Sequence, residues 1–93
     1  IILGMLKDKD IRNFISRLPK SSTILGCNIQ SERSATSNYI NEICKDLDFK
    51  CIKFNSVREA ILSVKKEKTL ITGSFYTVSD ARNYFKLEGY SEL

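Results

Sequence analysis

Thr69-Leu70-Ile71-Thr72-Gly73-Ser74-Phe75-Tyr76 is an apolar run that stops at a glycine and hands over to helix-starting residues. Leu70 and Ile71 supply the short, partly β-branched core of a strand that Thr72 ends. Gly73 lets the backbone turn, and Thr77-Val78-Ser79-Asp80 carries a helix-start signal. A buried strand that passes through a Gly-Ser turn into a helix is the unit of a doubly wound α/β sheet, and ligands gather at such turns. The turn aims backbone N–H groups and the Ser74 hydroxyl outward, where an anion or carboxylate is favoured. The plainer alternative is a tight turn in which Ser74 caps the helix.

The rest of the chain repeats that unit. Ile1–Met5 reads as a buried strand, and the polar turn Leu6–Asp10 follows it. Ile11, Phe14, Ile15 and Leu18 then recur at i, i+3, i+4 and i+7, one apolar stripe of a helix that Pro19 ends. Thr23–Ile29 is a second apolar strand, in which Gly26 signals close backbone packing or weakens the assignment. Gln30–Ser37 is a polar connection centred on Arg33, with Thr36 or Ser37 placed to cap a helix whose stripe is Tyr39, Ile40, Ile43, Cys44 and Leu47. Lys50–Phe54 alternates charged and apolar residues, as a strand near a sheet edge does. Ser56-Val57-Arg58-Glu59 is a capping box opening a helix with Val57, Ala60, Ile61 and Val64 inward. After the fourth strand, a last helix turns Val78, Ala81 and Phe85 inward and frays beyond Gly89.

Strands alternating with helices at short spacing imply right-handed βαβ units. The expected fold is α/β: a Rossmann-like, three-layer αβα arrangement with a mainly parallel sheet of about four strands. The loops after the strand ends then share one rim, which carries Lys7, Asp8 and Lys9, the segment from Asn28 to Arg33, Asn55, and Ser74 with Tyr76. Two ammonium groups, a guanidinium and a Gly-Ser turn suit a carboxylate or a phosphate. No nucleophile stands beside a base there, and no phosphate-cradling P-loop is present.

Composition limits the alternatives. Ninety-three residues suit one domain with a single core, and 42% hydrophobic with 28% charged residues is the balance of a globular chain. No apolar run approaches the roughly 20 residues of a membrane span. Ile1–Met5 is apolar but short and lacks a preceding basic region, which argues against a signal peptide. A chain that starts on Ile1, already inside a strand, points to further sequence upstream. Cys27, Cys44 and Cys51 are odd in number, lack CxxC spacing and are accompanied by no histidine. They read as buried, reduced thiols of a cytosolic protein, with metal and redox chemistry disfavoured. The net charge of +4 is scattered; Lys65, Lys66 and Lys68 cluster at a helix end, where cations complement the helix dipole. No basic face interleaved with aromatics marks a nucleic-acid surface.

Gly4-Met5-Leu6-Lys7-Asp8-Lys9-Asp10 and Thr72-Gly73-Ser74-Phe75-Tyr76 together resemble the C-terminal domain of the folylpolyglutamate synthase/dihydrofolate synthase family, relatives of the Mur ligases. That domain carries a Gly-x-x-x-Asp-Lys-Asp turn after one strand and a Thr-Gly-Ser-x-Tyr turn after its last. Ser56–Ala60 matches its helix-opening segment. Gln30–Ser37 resembles its Pro-Arg-Ala/Ser loop, with Arg33 at the arginine and Glu32 where proline is usual. The likeness covers nearly the whole chain.

The resemblance implies that residues 1–93 are one domain, a truncated C-terminal domain of an ATP-dependent ligase. Such a ligase joins L-glutamate to dihydropteroate or to a folate's glutamyl tail, by attack of the glutamate amine on an acyl phosphate. ATP and Mg²⁺ would sit mainly on an N-terminal ATPase domain, with no cofactor expected on this segment. The family's Asp-Gly-Ala-His-Asn-Pro turn is missing from this sequence. The segment is therefore expected to be inactive alone, and no residue is assigned as catalytic. By the same likeness Ser74 and Tyr76 hold the incoming glutamate and Lys7 adds charge to its carboxylate. Asp8, Lys9, Asp10, Arg33 and Gly73 shape the turns or meet the N-terminal domain on closure. Plainer readings make Tyr76 a rim aromatic, Lys7 a solvated charge and Arg33 an exposed loop charge. The implied setting is cytoplasmic, without nucleic-acid or membrane partners. The competing class is a stand-alone, non-enzymatic α/β binding or regulatory module.

Overall fold

A computed structural model of the chain describes residues 1–64, 69–73 and 75–87. Four strands alternate with four helices: β1 (Ile2–Gly4), α1 (Ile11–Ser16), β2 (Thr23–Cys27), α2 (Ser37–Asp46), β3 (Lys50–Phe54), α3 (Val57–Val64), β4 (Ile71–Gly73) and α4 (Phe75–Leu87). All pairings are parallel, and the strand order is β3-β2-β1-β4. The fold is the expected α/β arrangement of three layers.

Neighbouring residues in each central strand serve opposite layers. Leu3 and Ile24 pack with Ile11, Ile15, Ile40, Ile43 and Cys44 from α1 and α2. Ile2, Leu25 and Cys27 pack with Val57, Ala60, Ile61 and Ala81 from α3 and α4. A strand covered on both faces reads as an unbroken apolar run rather than an alternating one, which is why Ile-Leu and Ile-Leu-Gly-Cys mark β1 and β2. Gly26 lies where α2 comes closest: a Cβ built there would stand 2.9 Å from Ile40 Cγ2. The outer strand β3 shows its edge position in Ile52, which is 52% exposed.

Local signals set the helix starts. The Asp10 side chain accepts the Asn13 N–H at 3.2 Å to begin α1. Thr36, one of the two expected caps, accepts the Tyr39 N–H at 3.1 Å to begin α2. Ser56 accepts the Glu59 N–H at 3.2 Å, while Glu59 reaches back to the Asn55 N–H at 3.1 Å. The capping box therefore closes one residue further out than its usual reciprocal pair.

Several boundaries differ from the sequence reading. β1 is confined to Ile2–Gly4, and β4 is displaced to Ile71–Gly73, because the register aligns Ile2 with Ile71 and Gly4 with Gly73. Leu70 instead offers its carbonyl to the Ile2 N–H at 2.8 Å and is 58% exposed. α4 opens at Phe75, so Thr77–Asp80 lies inside the helix rather than ahead of it. Tyr39 is 49% exposed, since the narrow inward stripe of α2 is Ile40, Ile43 and Cys44. Val78 is likewise exposed, with Ala81 filling the inward position on α4. The Lys65–Lys68 cluster and the expected fraying beyond Gly89 lie outside the described residues.

Candidate functional site

The first two crossovers carry the chain from β1 outward to β3, with α1 and α2 on one face of the sheet. The third returns it across the opposite face to β4, on the far side of β1. The chain thus leaves β1 and β4, side by side, toward opposite faces. That divergence is the crevice where open α/β sheets hold ligands.

Gly4 and Gly73 stand opposite each other at the carboxyl ends of these two strands. Gly73 has φ of 122°, and a Cβ there would fall 2.0 Å from the Gly4 carbonyl oxygen. Only glycine fits such a backbone approach. The register brings the end of β4 beside the end of β1, from which the loop that carries Lys7, Asp8 and Lys9 departs. Ser74 and the Tyr76 side chain lie outside the described residues. The backbone at Tyr76 belongs to the first turn of α4.

The β1–α1 loop is zipped to the β2–α2 loop. Leu6 bridges Ser34 in antiparallel fashion, the Lys7 N–H donates to the Arg33 carbonyl at 2.7 Å, and the Ala35 N–H donates to Met5 at 2.8 Å. Across this seam the Arg33 guanidinium donates to Asp8 Oδ2 at 2.6 Å. That hydrogen bond holds the Asp8 carboxyl below its ordinary value, and both side chains are largely solvated. Lys7 and Lys9 are exposed beside the pair. Asp10 is engaged as the α1 cap, so its carboxylate faces the helix start. Lys7, Asp8, Lys9 and Arg33 therefore form one cluster, two loops deep.

The β2–α2 loop is tied down by side chains rather than by regular structure. Ser34 Oγ accepts the Ile29 N–H at 3.0 Å, and Asn28 Oδ1 accepts the Ser37 N–H at 2.9 Å. Asp80 Oδ2 on α4 accepts the Gln30 N–H at 3.2 Å, reaching over β1 from the opposite layer. Beyond this tie opens a cleft of about 390 Å³, lined by Asn28, Gln30, Asn55, Arg58, Asp80 and Tyr84 among others. Arg58 lies 5.6 Å from the centre of the Tyr84 ring. The sequence placed Asn28, Gln30 and Asn55 on the rim but missed Arg58, Asp80 and Tyr84. Their part depends on α3 and α4 lying side by side, which follows from strand order and not from any local pattern.

The rim can bind, orient and screen anionic groups through exposed cations, a guanidinium and turn N–H groups. Among the described residues no cluster of three or more His, Cys, Asp or Glu side chains is placed to hold a metal ion. No described helix is long and apolar enough to cross a membrane.

No family model matches the chain, and no solved structure matches it significantly. A curated relative does. The dihydrofolate synthase/folylpolyglutamate synthase of Buchnera aphidicola subsp. Schizaphis graminum is 34% identical over 86 residues, covering 85% of this chain. The chain spans about a fifth of that protein's length, 20%. With a parallel α/β fold and this rim, the chain is a sequence relative of one section of a dihydrofolate synthase/folylpolyglutamate synthase, as a fragment of such a protein would be.

Proposed function

We propose that this chain is the glutamate-holding, C-terminal part of an ATP-dependent ligase that adds L-glutamate to dihydropteroate or folate. In this reading ATP and Mg²⁺ supply the activation of the acceptor carboxyl and are bound mainly by an N-terminal ATPase domain. The intact protein works in the cytoplasm, and the 93-residue segment is inactive by itself. The observation that carries the proposal is the register Gly4–Gly73, which sets the carboxyl ends of β1 and β4 side by side at the crevice. Lys7 offers a mobile ammonium to the α-carboxylate of glutamate, and Ser74 offers a hydroxyl donor. Tyr76 contributes a phenol from the first turn of α4. Gly73 lets the turn approach β1, and Asp8, Lys9, Asp10 and Arg33 fix the facing loop or meet the N-terminal domain. Binding the carboxylate leaves the α-amine of glutamate to face the activated acceptor.

The test is steady-state kinetics on the intact ligase carrying this segment, with each substrate varied in turn. Ser74→Ala removes a hydroxyl bonded to a charged carboxylate, so kcat/KM for glutamate falls about 10- to 100-fold. The apparent affinities for ATP and folate change little. Equal losses for all three substrates, with a lowered melting temperature, make Ser74 a helix cap and overturn the assignment.

A further inference from the structure

The cleft bordered by the Asp80–Gln30 tie takes no part in holding the incoming glutamate, and its chemistry differs from that of the cationic rim. Buried Ile29 and Val57 give its lining an apolar part. With them stand the carboxamides of Asn28, Gln30, Asn55 and Asn83, from the segments after β2 and β3 and from α4. Asn28 Oδ1 accepts the Ser37 N–H at 2.9 Å, which fixes that amide and leaves its nitrogen to donate elsewhere. The side-chain amides of Gln30, Asn55 and Asn83 have no partner among the described residues. The volume of about 390 Å³ is that of a small-molecule site.

The charges on the lining are balanced. Arg58 sits over the Tyr84 ring, 5.6 Å from its centre. A guanidinium placed over an aromatic face keeps its fork of N–H donors for a carboxylate. Glu59, next to it in sequence, does not take that place: its Oε2 accepts the Asn55 N–H at 3.1 Å. Asp80 is the carboxylate of the described lining, and its Oδ2 accepts the Gln30 N–H at 3.2 Å. One cation set against one carboxylate does not suit a polyphosphate, which collects several cations. A nucleobase would need a ring to stack on, and Arg58 already covers a face of Tyr84. Carboxamides both donate and accept, as a peptide group does, and a single guanidinium takes a single carboxylate. The set matches a chain in which amide groups flank a carboxylate.

We infer that this cleft is a second binding site, which holds one γ-linked glutamyl residue of an acceptor's tail. Its α-carboxylate lies on Arg58 and its flanking peptide groups on Asn28, Asn55 and Asn83. The inference rests on the reading of the chain as part of a glutamate-adding ligase. Asp80 lines the cleft from α4, and α4 opens directly after β4, beside the crevice. A tail seated here runs along the same helix whose first turn meets the crevice. The apolar side chains Ile29 and Val57 suit the methylene pair that separates the α-carbon from the γ-linkage.

The ¹⁵N-labelled, 93-residue chain is titrated with γ-linked triglutamate and followed by its amide resonances. α-Linked triglutamate, free L-glutamate and inorganic phosphate are titrated in parallel. γ-Linked triglutamate should move the side-chain amides of Asn28, Asn55 and Asn83 to saturation. Arg58→Gln, at an exposed position, should weaken that binding about 10- to 100-fold, the loss expected for a hydrogen bond to a charged group. Arg12→Gln, which removes an exposed cation from α1, should leave it unchanged. The titration of the unaltered chain needs no variant and stands if Arg58→Gln fails to fold. Free L-glutamate moving Lys7 and Gly73 tests the crevice separately, so the two readings can fail independently. No response to γ-linked triglutamate, shifts confined to Lys7 and Gly73, equal binding of the α-linked peptide or of phosphate, or parental affinity in Arg58→Gln overturns the inference.

Discussion

Replacing Gly73 by alanine attacks the contact that joins β4 to β1. A φ of 122° lies outside the regions an alanine adopts, which costs on the order of 1–3 kcal/mol. The added carbon would meet the Gly4 oxygen at 2.0 Å, the Gly4 carbonyl carbon at 3.0 Å and Leu3 Cδ1 at 3.1 Å. Two of those atoms are backbone in the paired strand, so relief requires β1 and β4 to separate; overpacking of this kind adds roughly 1–3 kcal/mol. The sum, about 2–6 kcal/mol, is a large part of the roughly 5–14 kcal/mol that a domain of this size has. At about 4–8 °C per kcal/mol, the melting temperature should fall by roughly 10–50 °C. Gly26→Ala is the control. Its carbon would meet Ile40 Cγ2 at 2.9 Å, and a side-chain methyl can yield where a backbone carbonyl cannot. About 1 kcal/mol is expected there. Circular dichroism melts of both variants make the comparison. A Gly73→Ala melt within a few degrees of the parent, or a smaller loss than Gly26→Ala shows, refutes the close approach of β1 and β4.

Two further outcomes follow from the loops and caps. The Asp8 carboxyl is held below its ordinary value of 3.8 by Arg33, so the pair's contribution is present above that value and is lost as pH falls through the lower, folded one. Asp8→Asn should therefore lower the melting temperature slightly at neutral pH, with the difference vanishing in acid once the pH is below the folded value; a difference that persists there means the loop seam does not depend on the ion pair. Thr36→Ala removes the acceptor for the Tyr39 N–H at the start of α2 and should cost about 1 kcal/mol, read as a drop of roughly 4–8 °C. An unchanged melt would show that water satisfies that helix end as well as the hydroxyl does.

What could be read from the sequence was whatever short-range physics decides. The Ile11–Leu18 spacing, the Ser56–Glu59 box, Thr36 and the two-faced apolar runs of β1 and β2 each fix a helix or strand within a few residues. The strand order was not accessible in that way. Whether β4 joins β3 or crosses to β1 depends on which face α3 covers, and no local pattern in Val57–Val64 encodes it. The shift of β4 onto Ile71–Gly73 has the same origin, since pairing with Gly4 sets the register and leaves Leu70 outside. Tyr39 shows the limit of periodicity: it borders the α2 stripe by angle, yet Ile40 is the α2 residue packed over Gly26 and Tyr39 is left 49% exposed. At the candidate site, the charges of the Lys7–Asp10 turn were plain in the sequence. Their partner across the seam, and the reach of Asp80 to Gln30, arise from residues 25 and 50 positions away.

The central place of β1 has a consequence for the order in which the fold can assemble. Of the four described strands β1 is made before the others, yet one of its two neighbours, β4, lies about seventy residues later, at Ile71–Gly73. Loop-closure entropy favours nearby pairings, so β1, β2 and β3 with α1 and α2 can assemble as one layered half while α3 still lacks its partner helix. During synthesis β1 then presents an open hydrogen-bonding edge, and Ile2 an uncovered apolar face, until β4 leaves the ribosome. Residues 69–87 act as the latch of the domain: a nascent chain cut before them has a strand edge exposed in the middle of its sheet, the kind of edge that pairs with a neighbouring chain.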